Sequence, residues 1–327
     1  MILSRTPLRI SFAGGGTDLP AWYNTEGGMV VSATIEKYVY VILNKHFEGG
    51  YRLSYSKTEN VDKLDDLQHD LVRETLRAMD AYEGMEIVTI ADVPGRGTGL
   101  GSSSSLCVGL VNALDRLRFP DTRRVEPRFL AERAFFIENA KCGKTLGKQD
   151  QYAAACGGIN TFMFSEEKVD IASVFPAALY QKLNATLVLV YTGETRSAED
   201  ILAVQGQQTV ASQATRFALK SVMELARDLD IEFRKGDVSH LGEILHAGWI
   251  HKKEFAPNIS DLDIDYLYNK GLQSGADGGK LLGAGGGGFL LFVVPPNNRA
   301  RFEDGMSDYK KFDAKITTQG SSIIQET

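Results

Sequence analysis

Hydrophobic and polar residues recur with two periods in the first half of the chain. Apolar, β-branched and aromatic runs predict strands, and apolar residues spaced three or four apart predict helices. The predicted strands lie at 2–12, 29–43 (one or two strands), 51–55, 85–93 and 159–164. The predicted helices lie at 66–82, 103–117, 126–142 and 147–156. This half is therefore predicted to be an α+β unit.

The second half begins with a very apolar stretch at 183–191, which predicts the first strand of a second unit. Helical spacing follows at 197–229, 238–252, 262–273 and 299–306. Short apolar runs predict further strands at 279–282, 288–294 and 312–317. The pattern predicts an α+β protein with two domains, 1–182 and 183–327.

The composition narrows the classes of partner. The chain has 327 residues and a net charge of −6, with no basic stripe, so we expect no nucleic-acid partner. No apolar run reaches the roughly 18 residues of a membrane span, and the N-terminus lacks the apolar core of a signal peptide. Cys107, Cys142 and Cys156 form no C-x-x-C pair, which favours reduced thiols. We expect a cytoplasmic protein without a membrane partner, and a homodimer is compatible with this composition.

A glycine- and serine-rich run lies between the strand predicted at 85–93 and the helix predicted at 103–117. It reads Pro94-Gly95-Arg96-Gly97-Thr98-Gly99-Leu100-Gly101-Ser102-Ser103-Ser104-Ser105. Glycines let a backbone close around a bulky anion, and a helix N-terminus favours negative charge. The run therefore predicts a phosphate-binding loop, and a flexible connector is the alternative.

Two other phosphate motifs do not fit. Gly143-Lys144-Thr145 lacks the glycine that a Walker A motif needs five positions earlier, where Glu138 stands. Gly283, Gly285 and Gly288 match G-x-G-x-x-G, but they precede an apolar strand near the C-terminus. No room remains there for a βαβ unit, which excludes a Rossmann motif.

Three motifs in order resemble those of the GHMP kinases, the family of galactokinase, homoserine kinase and mevalonate kinase. They are Arg5-Thr6-Pro7-Leu8-Arg9-Ile10-Ser11-Phe12-Ala13-Gly14-Gly15-Gly16-Thr17-Asp18-Leu19-Pro20, the glycine- and serine-rich run, and Lys280-Leu281-Leu282-Gly283-Ala284-Gly285-Gly286-Gly287-Gly288-Phe289. The resemblance implies a two-domain fold, with an N-terminal domain like the second domain of ribosomal protein S5 and a ferredoxin-like C-terminal domain. The active site would lie in the cleft between them, and the third motif would pack against the phosphate loop.

The resemblance also implies a catalytic set that uses ATP and Mg²⁺. Residues 94–104 would hold the ATP phosphates, and Glu138 with Ser103 would bind Mg²⁺. Asp150 would act as general base, and Arg9 would keep it ionised and stabilise the transferring phosphoryl group. The alternatives are a solvated helix face for Glu138, a helix-terminal charge for Asp150 and an outward strand residue for Arg9.

The first motif would form the acceptor site. Thr17 and Asp18 are expected to hold sugar hydroxyls, while Gly15 and Gly16 bring the backbone close to the sugar. The alternative is a plain turn in which Asp18 caps a following helix.

An acceptor that already carries a phosphate needs a second anion site. The candidate residues are Lys144, Lys148 and Arg196. A solvated surface role is the alternative for each of them.

The Gly16-Thr17-Asp18 form of the first motif resembles the D-glycero-D-manno-heptose 7-phosphate kinases and the kinase domain of L-fucokinase. The resemblance implies phosphorylation of the anomeric hydroxyl of the heptose 7-phosphate to the 1,7-bisphosphate, with the α-anomer as product, in a route to GDP-heptose. The partners would be a sugar phosphate and ATP. The alternatives are a C1 kinase of a free sugar such as L-fucose, a decarboxylase of the mevalonate diphosphate type, and a non-catalytic sugar sensor.

Overall fold

The computed structural model describes residues 1–81, 84–95, 97–120, 125–194 and 198–326, and these form two sheets with covering helices. The strands are β1 (Ile2–Ala13), β2 (Gly28–Lys45), β3 (Tyr51–Ser54), β4 (Thr58–Val61), β5 (Met85–Ala91), β6 (Ile159–Phe164), β7 (Val169–Ala172), β8 (Leu187–Tyr191), β9 (Gly278–Leu281), β10 (Phe289–Val293), β11 (Lys311–Asp313) and β12 (Ser322–Glu326). The helices are α1 (Pro20–Glu26), α2 (Asp70–Ala78), α3 (Ser102–Arg118), α4 (Pro127–Phe136), α5 (Gln149–Cys156), α6 (Ala177–Thr186), α7 (Ala198–Ala211), α8 (Gln213–Arg234), α9 (Leu241–Lys252), α10 (Leu262–Gln273) and α11 (Arg299–Gly305). A π-helical turn, Ile137–Lys141, follows α4.

The first sheet has the strand order β12-β1-β2-β5-β3-β4, with β6 and β7 continuing from β2. The long strand β2 pairs with β1 along one edge, and along the other it pairs first with β6 and then with β5. Helices α2 to α5 contribute to the cores on one side of this sheet. The chain returns to the sheet at its end, because β12 pairs with β1.

The second sheet is antiparallel, in the order β11-β8-β10-β9. Along β10 the side chains alternate between two cores, as the period of a strand requires. Leu290 and Phe292 pack with Trp249 of α9, whereas Leu291 faces a core that also contains Leu8 of β1. The core that contains Leu8 and Leu291 joins the two sheets and holds β1 against the C-terminal half.

The predicted elements are largely present, with three informative differences. The apolar stretch at 183–191 is not one strand, because α6 runs to Thr186 before β8 begins; a short apolar run does not distinguish a buried strand from a buried helix. The helix predicted at 197–229 is divided at Ser212, whose side chain accepts a hydrogen bond from Thr215 and caps α8. The short edge strand β12 was not predicted, and division of the chain at residue 182 stays a prediction.

None of the helices in the described part of the chain is both long and apolar enough to cross a bilayer.

Candidate active site

A cleft of about 640 Å³ lies between the two halves of the chain. Its walls come from the glycine- and serine-rich loop, the first-motif turn, the N-terminal end of α5, helix α7 and the third motif. The residues of the three sequence motifs therefore meet in one place, as the sequence predicts.

The loop before α3 has the conformation of an anion cradle. Gly97, Gly99 and Gly101 have φ angles of 67°, 73° and 76°, in the left-handed region that glycine adopts without strain. The loop ends at Ser102, the first residue of a 17-residue helix whose first N–H groups have no partner within the helix. The Ser102 hydroxyl donates to the Gly95 carbonyl over 3.1 Å and closes the loop. Alternating left-handed glycines and a helix N-terminus suit a phosphate chain.

The third motif packs directly against this loop, which confirms the predicted contact. A Cβ atom on Gly99 would lie 2.5 Å from the Leu282 carbonyl oxygen, and one on Gly283 would lie 2.4 Å from the Gly99 Cα. The Phe289 amide donates to the Thr98 carbonyl over 3.1 Å. Only glycines allow the two main chains to approach this closely.

Arg9 and Asp150 form a bidentate ion pair at the border of the loop. Arg9 Nε and Nη2 donate to the two Asp150 carboxylate oxygens over 2.8 and 2.7 Å, and Nη1 donates to the Gly99 carbonyl. Arg9 is buried, whereas the Asp150 side chain keeps 23% of its surface exposed and lines the cleft. The geometry fixes an accessible carboxylate beside the phosphate loop through strong charge-assisted bonds.

Glu138 lies in the π-helical turn and is 2% exposed. Ser103 Oγ donates to one of its oxygens over 2.9 Å, and Gln151 Nε2 donates to the other over 2.6 Å. Burial raises the pKa of Glu138, and hydrogen bonds from Gln151, Ser104 and Ser103 act in the opposite direction. One carboxylate and one hydroxyl beside a phosphate loop fit Mg²⁺, which takes few protein ligands and completes its shell with phosphates and water. Groups of three or more potential His, Cys, Asp or Glu ligands do not occur among the described residues.

Asp18 is buried against the start of α5. Its carboxylate accepts from the Gly16 amide over 3.0 Å and from the Gln149 amide and side chain, both over 3.2 Å. These three bonds leave about one of its four acceptor positions for a ligand hydroxyl. Burial raises the pKa of Asp18, and the neighbouring charge of Asp150 raises it further. A Cβ on Gly147 would lie 1.8 Å from Asp18 Oδ2, so this close approach needs glycine.

Thr17 does not fit the predicted role of holding a sugar hydroxyl. Its side chain is fully buried and is not part of the cleft wall. The hydroxyl contacts the Gly14 carbonyl at 2.7 Å and the Met29 carbonyl and amide at 3.0 Å. These contacts use the hydroxyl to fasten the first-motif turn to β2.

Unpartnered polar atoms surround Gly15 and Gly16. Ser11 Oγ, Gln149 Oε1 and Gln205 Nε2 are buried and have no hydrogen-bond partner within the described part of the chain. A Cβ on Gly16 would lie 2.7 Å from Gln205 Nε2, and one on Gly15 would lie 3.4 Å from Ser11 Oγ. Leaving a buried polar group unpaired costs about 1–3 kcal/mol. This acceptor pocket therefore suits a ligand with several hydroxyl groups.

The two lysines predicted for a second anion site differ in their position relative to the cleft. Lys144 lines the cleft, but its ammonium group lies 3.6 Å from the Glu199 carboxylate. Lys148 is not part of the cleft wall; its ammonium lies 4.7 Å from the centre of the Tyr23 ring and 5.4 Å from that of Phe135. Burial also lowers the pKa of Lys148. A role for Lys148 in binding a substrate phosphate is therefore not supported.

Two predicted ligand residues, Arg96 and Arg196, lie outside the described residues.

Sequence reasoning missed two buried lysines in the cleft wall. Lys252 ends α9 and Lys280 lies in β9, and they are 8% and 6% exposed. Burial lowers the pKa of Lys252 well below its ordinary value, with repulsion from Lys280 and Arg9 adding to the effect. Burial and Arg9 lower the pKa of Lys280 to about 8. The position of Lys280 as the first residue of the third motif was the available signal.

Comparison with known proteins gives one consistent result. Residues 69–158 match the family model for the GHMP kinases N terminal domain, and residues 231–311 match that for the GHMP kinases C terminal domain. The chain is 30% identical over 316 residues to D-glycero-alpha-D-manno-heptose 7-phosphate kinase of Campylobacter jejuni, with 91% of each chain covered. It is 25% identical over 337 residues to the bifunctional fucokinase/GDP-fucose pyrophosphorylase of Arabidopsis thaliana, covering 95% of this chain and 31% of that protein. The crystal structure of a D-glycero-D-manno-heptose 1-phosphate kinase from Bacteroides thetaiotaomicron has a TM-score of 0.81 at 24% identity, with 100% of both chains covered.

The chain therefore belongs to the GHMP kinases, and the predicted two-domain α+β fold of that family is confirmed. Within the family it is a sugar kinase, a phosphotransferase with an alcohol group as acceptor, and it is similar to the heptose 7-phosphate kinase branch.

Proposed function

We propose that this protein transfers the γ-phosphoryl group of ATP to the anomeric hydroxyl of D-glycero-D-manno-heptose 7-phosphate, with the α-anomer of the 1,7-bisphosphate as product. The observation that carries the proposal is the Arg9–Asp150 pair, which lies between a phosphate loop and a pocket of unpartnered polar atoms. Similarity to the Campylobacter heptose 7-phosphate kinase supports the choice of acceptor. We place the reaction in the cytoplasm, in a route to GDP-heptose.

The proposed reaction uses the loop at 94–104 for the ATP phosphates and the Asp150 carboxylate as general base. Asp150 accepts the proton of the O1 hydroxyl while O1 forms a bond to the γ-phosphorus. The bond from this phosphorus to the bridging oxygen breaks, and ADP leaves. The Arg9 guanidinium, already bonded to both Asp150 oxygens, holds the base in place and lies where negative charge develops.

Glu138 and the Ser103 hydroxyl would hold Mg²⁺ next to the phosphates. When bound, the ion would neutralise charge on the β- and γ-phosphates and keep them aligned for transfer. The Gln151 amide fixes the orientation of the Glu138 carboxylate through its 2.6 Å hydrogen bond.

In the acceptor pocket, Asp18 has one acceptor position for a sugar hydroxyl. Gln149 Oε1 can accept a hydrogen bond from the ligand, Gln205 Nε2 can donate one, and the Ser11 hydroxyl can do either. Gly15 and Gly16 line the cleft, and the absence of their Cβ atoms lets the side chains of Ser11 and Gln205 approach closely. A polyol acceptor therefore matches the hydrogen-bonding groups of this pocket.

A C1 kinase of an unphosphorylated sugar is the second candidate. The similarity to a plant fucokinase supports it, as does the pairing of Lys144 with Glu199, which leaves Lys144 without a free charge for an acceptor phosphate. A non-catalytic sensor is disfavoured, because Arg9, Asp150 and Glu138 have the arrangement that catalysis needs.

The test is ADP release with ATP and Mg²⁺ across heptose 7-phosphate, mannose 6-phosphate, L-fucose, galactose and mevalonate. We expect turnover with the phosphorylated sugars and the highest kcat/KM with the heptose. Turnover confined to L-fucose or galactose would reject the phosphorylated acceptor and favour the second candidate. The Asp150→Asn variant provides the blank for ATP hydrolysis by contaminants.

A further inference from the structure

Two buried ammonium groups in the cleft wall have an unusual set of partners. Lys252 Nζ donates to the Leu281 and Gly283 carbonyls over 2.9 and 2.6 Å. Lys280 Nζ donates to the Phe12 carbonyl over 3.0 Å. An ammonium carries three N–H donors, so one donor on Lys252 and two on Lys280 have no partner within the described residues.

The charges of these lysines are also unbalanced. The third cation nearby, Arg9, has its charge offset by Asp150. Neither Lys252 nor Lys280 forms an ion pair with a carboxylate in the part of the chain that the structure describes. Because a buried charge is costly unless it is paired, an anion bound beside these neighbouring lysines would stabilise their charged forms.

The pair lies where the acceptor pocket meets the third motif. Lys252 bonds the carbonyl of Gly283, which packs on Gly99 of the nucleotide loop, and both lysines also border the acceptor pocket. Phe12, whose carbonyl binds Lys280, follows Ser11 in β1, and Ser11 borders Gly15. Phe255, one turn after Lys252, has a ring atom 3.1 Å from the Cβ position of Gly16. Both lysines are therefore attached to segments that enclose the first-motif glycines.

We propose that Lys252 and Lys280 together bind the phosphate group that the acceptor sugar already carries. A phosphate monoester has a charge of about −1.5 to −2 at neutral pH, which matches two ammonium groups. Its oxygens can accept hydrogen bonds from the three unpartnered N–H donors. This inference rests on the proposed function, and it assigns the second anion site to Lys252 and Lys280 instead of Lys144, Lys148 or Arg196.

The test compares kcat/KM for D-glycero-D-manno-heptose 7-phosphate and for the same heptose without its phosphate. The variants are Lys252→Met and Lys280→Met, with Lys148→Met as a matched control, because Lys148 is a partly buried lysine outside the cleft wall. We expect each of the first two variants to lower kcat/KM for the phosphorylated acceptor by about 30- to 100-fold. The value for the unphosphorylated heptose should change less than about threefold, and the control should match the unmodified protein for both.

An equal loss for both acceptors, or no loss for either, would overturn the inference. Failure of the unmodified protein to prefer the phosphorylated heptose would overturn the proposed function and the inference together. The acceptor preference of the unmodified enzyme therefore shows whether the proposed function fails or only this inference fails.

A second measurement uses the unmodified protein and does not depend on the folding of the variants. Inorganic phosphate is expected to inhibit competitively against the sugar phosphate and not against ATP. Competition against ATP alone would assign the free-anion site to the nucleotide loop and would contradict the inference.

Discussion

The two halves of the cleft differ in composition, because one consists mainly of main-chain groups and the other of side chains. In the nucleotide half, as proposed above, one continuous loop would bind the phosphates through its main chain, with left-handed glycines at 97, 99 and 101 and a helix N-terminus. The acceptor half, as proposed above, would be assembled from side chains on separate elements that line the cleft, including Ser11 of β1, Gln205 of α7, Lys252 of α9 and Lys280 of β9. The first half would bind a group common to all ATP-dependent kinases, whereas the second would select one acceptor.

Because of this difference, the two halves tolerate different amino-acid substitutions. A main-chain site depends on the absence of Cβ atoms, so substitution harms it through steric clash. A side-chain site depends on charge and hydrogen bonds, so conservative neutral substitutions harm it without distorting the fold. Asp150 and Arg9 stand between the halves, because the pair contacts Gly99 on one side and faces the acceptor pocket on the other.

The largest effect is expected at this border. Asp150→Asn should lower kcat by about 100-fold or more, because the amide cannot take the proton of the acceptor hydroxyl. Nucleotide affinity should not change, since the phosphate loop is intact. Turnover under saturating substrates and calorimetric titration with a non-hydrolysable ATP analogue measure the two effects.

Asp170→Asn is a matched control for this variant, because Asp170 lies in β7 and pairs with Lys168 away from the cleft. Near-normal turnover of the Asp150→Asn variant would remove Asp150 from the proposed mechanism. A parallel loss of analogue binding would show that the residue supports the loop and not only the chemistry.

The nucleotide half is tested by adding a single methyl group. Gly99→Ala should weaken binding of the ATP analogue by about 5- to 30-fold, because the left-handed backbone costs about 1–2 kcal/mol. The clash with the Leu282 carbonyl at 2.5 Å adds to this cost. Gly95→Ala is the control, because its Cβ would meet no atom within 4 Å and its φ is not positive. Equal affinities for the two variants would contradict a main-chain cradle at 97–101.

The same difference explains what sequence could predict. The glycine run is local, so its spacing alone predicts the loop and the helix after it, and both are present. The acceptor half joins residues more than two hundred positions apart, such as Phe12 and Lys280, and no periodicity encodes that contact. The resemblance supplied Arg9, Asp150 and Glu138, and the structure brings all three to the cleft.

Lysines gave the weakest predictions, for a physical reason. A lysine in sequence is most often solvated, so Lys252 at the end of an apolar helix carried no signal for burial in a cleft. Lys148 flanks the catalytic region in sequence, but its side chain packs on Tyr23 and Phe135. The helix predicted through Glu138 also ends in a π-helical turn, a local rearrangement that helical spacing does not reveal.

The one acidic side chain assigned to the nucleotide half gives the next prediction. Glu138→Gln should raise the Mg²⁺ concentration for half-maximal activity by about tenfold, because the neutral amide is a weaker ligand for a hard cation. Glu132→Gln is the control, since Glu132 contacts Tyr152 and Arg128 outside the cleft. An unchanged metal titration for Glu138→Gln would refute the assignment of Glu138 as a metal ligand.

The smallest expected effect is a pH dependence of kcat/KM that only the phosphorylated acceptor should show. The pKa of Lys280 is lowered to about 8, so its charge is present below this pH and is lost as the pH rises through it. Arg9 is the charged group whose repulsion acts on Lys280, and Lys280 and Arg9 act in the same way on Lys252. If Lys280 binds the acceptor phosphate, kcat/KM for the sugar phosphate should fall about threefold between pH 7.5 and 8.5. The value for the unphosphorylated sugar should not follow this step, and Lys280→Met should abolish it. The same fall for both sugars would instead locate the titrating group at the shared chemistry of Asp150 and Arg9, and the two halves would then not be electrostatically separate.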